Sequence, residues 1–230
     1  MVQTTELGER RTSVDDIFDV LHEEIVSLQL KPGDRISEAE IASRFNVSRQ
    51  PVRDAFNRLA NLDLLLIRPQ RATEVRRFSL RKIEKSRFIR IALEKEVLRR
   101  ACVECSDKDA RYLDAELAKQ EQAMKASDVE VFGKLDYAFH QALCAIGKVE
   151  FAFDVILEEK TKVDRLCVLG LEKGQRIPEL VEDHREIAEA VKSKDPARAE
   201  RAMMLHLSRL DETIGNISQT NANFFEHSRR

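Results

Sequence analysis

Asp136 and His140 stand four residues apart, so a helix would place both on one face. His184 and His206 lie in two later segments. Each of the three histidines sits among apolar residues at helical spacing: Phe132, Leu135, Phe139 and Leu143; Val181, Ile187 and Val191; Met203, Leu207 and Leu210. A lone histidine on such a face is most often a hydrogen-bonded core residue. Three of them with a carboxylate, on three helices able to converge, describe a metal site instead. Imidazole and carboxylate donors suit Zn, Ni, Mn or Fe, and four protein ligands leave an octahedral ion two positions for a small organic acid.

A second chemistry is carried by arginine. The chain has 230 residues and a net charge of -2, with a pI near 6.3, which taken whole argues against a nucleic-acid partner. Locally the balance reverses. Between Arg44 and Arg87, 12 basic residues meet 4 acids, a charge of +8, and the remainder of the chain carries -10. The first eight of those bases are arginines, whose planar fork suits phosphates and guanine edges.

The elements that must present these groups are helices. Residues 14–30 place Val14, Ile17, Phe18, Leu21, Ile25 and Leu28 at helical spacing, with Asp15, Asp16 and Asp19 near the positive end of the helix dipole. Lys31-Pro32-Gly33-Asp34 ends that helix. Ser37-Glu-Ala-Glu40 has the form of a capping box and opens a short helix that stops at Asn46, a residue tolerant of left-handed backbone. Ser48 caps a third helix, 48–62, with Val52, Ala55, Phe56 and Leu59 on its inner face and Arg49, Gln50, Arg53 and Asn57 on its outer face. Two short helices joined by a turn, the second with Arg and Gln in its first turn, form a helix-turn-helix able to enter a major groove. Residues 64–67 and 73–76 read as strands joined by Arg68-Pro-Gln-Arg-Ala72, a wing whose tip can reach phosphates or the minor groove.

Leu30-Lys-Pro-Gly-Asp-Arg-Ile-Ser-Glu38, Ile41-Ala42, Val47-Ser-Arg-Gln-Pro-Val-Arg-Asp-Ala55, Arg58-Leu59 and Arg68-Pro-Gln-Arg71 together resemble the DNA-binding region of the GntR transcription regulators. That resemblance implies a homodimer on a palindromic, double-stranded DNA operator. Ser48, Arg49, Gln50 and Arg53 of the third helix and Gln70 and Arg71 of the wing would lie at the DNA. Asp63 and Ala72 stand where the family usually carries Gly. Asp accepts a left-handed backbone better than most residues, and Ala pays a steric penalty there.

From residue 79 the pattern is helix after helix with no strand between: 80–105, 106–126, 127–147, 149–169, 176–194 and 195–217. Ser106-Asp-Lys-Asp109, Ser127-Asp-Val-Glu130 and Asp195-Pro196 serve as opening signals. The expected fold is mainly α. A winged helix-turn-helix domain covers 1–78, an antiparallel bundle of about six helices covers 79–218, and 219–230 form a disordered tail. Bundle interiors are where such folds build ligand and metal sites.

Asp136-Tyr-Ala-Phe-His140, Asp183-His184-Arg185, Met203-Met-Leu-His-Leu207 and Arg90-Ile-Ala-Leu-Glu94 resemble the C-terminal FCD domain of the FadR-type branch of the same family. The resemblance implies that Asp136, His140, His184 and His206 hold the metal and that Arg90 pairs with an effector carboxylate. It also assigns dimerisation to this region. Lys148 stands where many relatives have Asn.

No run of about 18 apolar residues exists, which excludes a membrane-spanning helix. The N-terminus has no apolar signal region, so the expected compartment is the cytoplasm, with Cys102, Cys105, Cys144 and Cys167 as reduced thiols. Cys102-Val-Glu-Cys105 has C-x-x-C spacing but lies inside a helix with no second pair. His22 and His227 receive no role. The expected function is therefore a transcription regulator, a repressor modulated by a small carboxylate, and not an enzyme. One alternative is an all-helical metal-dependent hydrolase, disfavoured because Asp183-His184 reverses the His-Asp order of HD-type phosphohydrolases. Another is a purely structural metal.

Overall fold

The structure, a computed structural model, describes residues 13–171 and 176–226. One compact unit ends at Phe78 and takes in the chain again from Asn223; the other is Ser79–Ala222.

In the first unit the amphipathic pattern forms α1 (Ser13–Val26), α2 (Glu38–Phe45) and α3 (Arg49–Asn61). Ile17, Leu21 and Ile25 of α1 pack with Val52, Ala55, Phe56 and Leu59 of α3. The α2 capping box is complete: Glu40 N donates to Ser37 Oγ at 3.1 Å and Ser37 N to Glu40 Oε2 at 3.2 Å. Asn46 ends α2 at φ 52°, in the left-handed region. Ser48 occupies the N-cap of α3 with extended backbone, yet its side chain makes no capping bond, contrary to expectation. The α1 helix is shorter than its apolar period suggested, because Leu28 turns to φ 62° and the Leu30 amide donates back to the Glu24 carbonyl.

A three-stranded sheet completes this unit, in the order β1 (Arg35–Ile36), β3 (Thr73–Val75), β2 (Leu65–Leu66), all antiparallel. The sequence pattern announced β2 and β3 but not β1, because two residues are too few for alternation to show. Gly33 makes β1 possible: at φ 95° it turns the chain so that its amide reaches the Val75 carbonyl at 2.8 Å. At the wing tip Gln70, not Ala72, adopts positive φ, at 56°. Asp63 does take the left-handed conformation, at 61°, and its Oδ1 lies 2.8 Å from Arg76 Nε.

Residues 219–226 are ordered, which corrects the expectation of a disordered tail; His227 and beyond lie outside the described residues. Phe78 pairs in parallel with Phe225. The Phe78 amide donates to the Phe224 carbonyl and the Glu226 amide to the Phe78 carbonyl, both at 2.8 Å. Arg77 Nε donates to the Asn223 carbonyl at 3.0 Å. The Phe78 and Phe225 rings sit 5.5 Å apart, and Phe225 is buried. Polar composition concealed this docking, since it depends on one ring and on backbone bonds that any sequence can make. Phe225→Ala is expected to destabilise this unit by about 3 kcal/mol, through lost burial and the cavity left behind. A urea titration of the variant would read it as a lower midpoint.

The second unit is a bundle of α4 (Leu80–Glu104), α5 (Asp107–Lys125), α6 (Val129–Ile146), α7 (Phe151–Leu171), α8 (Ile177–Lys192) and α9 (Pro196–Thr220). Its core includes Leu98, Leu113, Phe139, Leu143, Ile187 and Met203. Ser106 and Asp109 form the expected capping box, and Asp195 accepts from the Arg198 amide ahead of Pro196. The N-cap of α6 is Asp128, which accepts from Val131 N at 3.0 Å. Ser127, expected to cap it, is instead at φ 53°, in the turn that leaves α5. Lys148 at φ 55° ends α6, with its amide on Ala145 O and the Val149 amide on Cys144 O. A left-handed lysine is strained, which is why Asn suits this position. Lys148→Gly is expected to stabilise the unit by about 0.5–1 kcal/mol in chemical denaturation, because the exposed pair it loses with Glu104 contributes little.

Candidate metal centre and nucleic-acid interface

In the helical unit α6 carries Asp136 and His140 on one face, while α8 and α9 bring His184 and His206 against them. All four are buried, with exposures of 7%, 2%, 0% and 7% in that order. Their ligand atoms lie within 4.8 Å of one another. His184 Nε2 is 3.4 Å from Asp136 Oδ1, and His140 Nε2 is 4.0 Å from the same oxygen. Phe139 stacks on the His184 ring, centroids 4.3 Å apart, so the apolar residues that hid the histidines in the sequence also hold them.

Burial, reinforced by neighbouring His206, pushes the His184 pKa well below its usual 6.5. The His206 pKa is also lowered by burial, against the opposing contact with Asp183. Both rings are thereby neutral at neutral pH, the form in which imidazole binds metals. Burial alone would raise the Asp136 pKa. Lys160, with Nζ 2.7 Å from Oδ2, overrides it and holds the carboxyl well below the ordinary range. His140 Nε2 and His184 Nε2 are buried and find no hydrogen-bond partner. A buried polar atom left unpaired costs about 1–3 kcal/mol, and a divalent transition metal is the partner this donor set fits.

The lowered histidine pKa values set a pH dependence. Below about pH 6.5 the unfolded chain binds protons that the folded chain refuses, so stability falls as pH drops, by up to about 1.4 kcal/mol per pH unit for each histidine. The melting temperature of metal-free protein is expected to be flat from pH 8 to 7 and to decline below 6.5. A curve flat to pH 5 would contradict the buried neutral rings.

Arg90 on α4 is buried, and its Nε donates to Glu94 Oε1 at 2.8 Å. Glu94 Oε2 in turn lies 2.7 Å from His140 Nδ1, so Arg90 joins the centre through Glu94. Gln120 of α5 reaches His184 Nδ1 at 2.8 Å. Glu94, Gln120 and Lys160 were not singled out from the sequence. The available signal was the four-residue spacing of Arg90 and Glu94; nothing local marked the other two.

In the first unit Arg49, Gln50 and Arg53 are exposed on the outer face of α3, beside exposed Ser48. Gln50 Nε2 donates to Asp54 at 3.0 Å, and Arg53 sets its fork on Glu38, at 3.1 and 3.2 Å. Gln70 and Arg71 are exposed at the wing. Arg68 and Arg71 line a cleft there with Glu74 and with Arg35 of β1, an arginine missed because its strand was missed. Other arginines of the +8 segment serve the fold. Arg58 pairs with Asp15 at 2.7 Å and lies 4.1 Å over the Phe18 ring, and Arg76 pairs with Asp63. Arg49, Arg68 and Arg71 have no ion-pair partner among the described residues.

Residues 13–75 match the bacterial regulatory proteins of the gntR family, and residues 87–209 match the FCD domain. The chain is 35% identical to the HTH-type transcriptional repressor RspR of Escherichia coli K12, over 98% of its own length and 99% of that protein's. It is 26% identical to the HTH-type transcriptional regulator LutR of Bacillus subtilis, covering 84% of this chain and 97% of that one. Among solved structures, E. coli McbR/YncC shares the fold, with a TM-score of 0.69 at 20% identity over 92% of this chain and 100% of that one. These relatives are regulators and give the hydrolase alternative no support. No described helix is long and apolar enough to cross a membrane. The chain belongs to the GntR family of bacterial regulatory proteins, as a DNA-binding transcriptional regulator with a C-terminal FCD domain and not as an enzyme.

Proposed function

We propose that this regulator represses its targets by binding a palindromic operator as a homodimer, and that a small organic acid in the helical unit changes its operator affinity. The observation that carries the reading is the convergence of Asp136, His140, His184 and His206, buried and within 4.8 Å, with unpaired imidazole nitrogens facing one carboxylate oxygen. These four residues would hold Zn, Ni or Mn. Such an ion supplies positive charge and coordination positions for a carboxylate. Arg90 and Lys160 stand beside the tetrad already paired with Glu94 and Asp136, so the charge that would attract an anionic effector is the ion's own.

At the DNA, Arg49 and Arg53 read base edges or phosphates from α3, assisted by Ser48 and Gln50. Gln70 and Arg71 extend the contact from the wing. The Ser48 hydroxyl has no capping duty, which leaves it available to a phosphate. The domain roles follow: residues 1–78 bind the operator, and residues 79–218 take the metal, the effector and the second subunit. Phe88 and Phe151, each 74% exposed on the helical unit, offer apolar area for a second copy to cover. The effector then acts by favouring one spacing of the two DNA-binding units over another. Selection of bound DNA from a random pool tests the reading. A recovered palindrome is the expected result, and a pool without enrichment would overturn it.

A further inference from the structure

Two ligands of the tetrad face, on their far side, a buried polar group from another helix. His184 Nδ1 lies 2.8 Å from Gln120 Oε1, while Gln120 Nε2 donates to the Leu135 carbonyl at 3.4 Å. Flipping the amide would set its oxygen against that carbonyl, so Gln120 must offer oxygen to the ring. The ring proton of His184 therefore resides on Nδ1, and Nε2 turns its lone pair toward Asp136 Oδ1, 3.4 Å away. His140 Nδ1 lies 2.7 Å from Glu94 Oε2, close enough for the pair to interact although the angle is not that of a hydrogen bond, and its Nε2 lies 4.0 Å from the same Asp136 oxygen. Arg90 occupies the other oxygen of Glu94 and keeps it an anion, so the group facing Nδ1 can accept a hydrogen bond from the ring but has none to give.

We propose that Glu94 and Gln120 are positioning residues of the metal centre: they fix His140 and His184 in the Nδ1–H tautomer, so that both Nε2 lone pairs are aimed inward before any ion arrives. This rests on the metal reading above. An outer acceptor of this kind fixes the ring orientation and raises its basicity, and its loss typically weakens metal binding about 10–100-fold. Glu94→Gln is the informative variant because it keeps size and shape. Arg90 would claim the amide oxygen and leave the amide NH2 facing His140 Nδ1, which moves the ring proton to Nε2, inside the site.

The test uses the full chain, labelled with 15N and free of metal. Long-range proton–nitrogen spectra assign the tautomer of each ring, and titration against a chromophoric chelator gives the zinc affinity. The expected result is Nδ1–H on both rings in the wild type. In Glu94→Gln, His140 should switch to Nε2–H with a zinc affinity lowered at least tenfold. A wild-type His140 or His184 protonated on Nε2 would overturn the proposal without any variant being made. So would a Glu94→Gln protein that binds zinc as tightly as the wild type with an unchanged tautomer. If the wild type takes up none of zinc, nickel and manganese, the metal reading itself falls and the proposal with it, a distinct outcome.

Discussion

Replacing Arg49 and Arg53 together by alanine is expected to weaken operator binding by roughly 30-fold to 10^4-fold, at about 1–3 kcal/mol for each arginine. The two side chains lie one helical turn apart on the outer face of α3, both exposed, while the inner face is sealed by Val52, Ala55, Phe56 and Leu59. Their removal therefore leaves the core of the unit intact, and circular dichroism should match the wild type. Arg53 is not a loose side chain: Glu38, at the start of α2, holds its fork, so part of the ordering that DNA binding requires is already present. Fluorescence anisotropy at two salt concentrations separates the contributions. A contact to phosphate lowers the salt slope by about 1 for each arginine lost, whereas a contact to a base edge relaxes specificity with little change in slope. Intact operator binding in the double variant would refute α3 as the recognition helix.

His184→Ala is expected to have the largest effect in the helical unit. His184 is fully buried at the middle of the tetrad, stacked on Phe139, and within 4.7 Å of the His206 ring. Losing a ligand should weaken metal binding beyond the roughly 100-fold that outer partners command. Calorimetry with a panel of small carboxylic acids then separates a ligand-holding ion from a structural one. Metal-loaded wild type should bind an acid and lose operator affinity, while His184→Ala should do neither. An acid that binds the variant as well as the wild type would place the effector elsewhere and leave the metal a structural role.

Much of this was legible in the linear sequence, for local reasons. Ser37, Ser106 and Asp195 cap helices through atoms three residues away, so their signals survive without the rest of the fold. The four-residue step from Asp136 to His140 places both on one face wherever the helix forms. Where local rules failed, a competing local rule had won, as when Asp128 took the cap that Ser127 was expected to provide. The charge count was legible too, but not its division of labour. Arg49 and Arg71 are exposed without an ion-pair partner among the described residues, whereas Arg58, also at the surface, is held by Asp15 and Phe18, the former 43 residues away in sequence.

The sequence by itself determined the element types, the helix-turn-helix with its wing, the four candidate ligands, and the sign of each region's charge. Tertiary structure alone decided what stands behind those ligands. Gln120 meets His184 across 64 residues, and Phe225 docks on Phe78 at the far end of the chain. The physical reason is that periodicity and capping are properties of a segment, set by bonds within a turn or two. The pairing of a buried amide with a particular ring depends on which helices pack together, and no spacing along the chain encodes that contact.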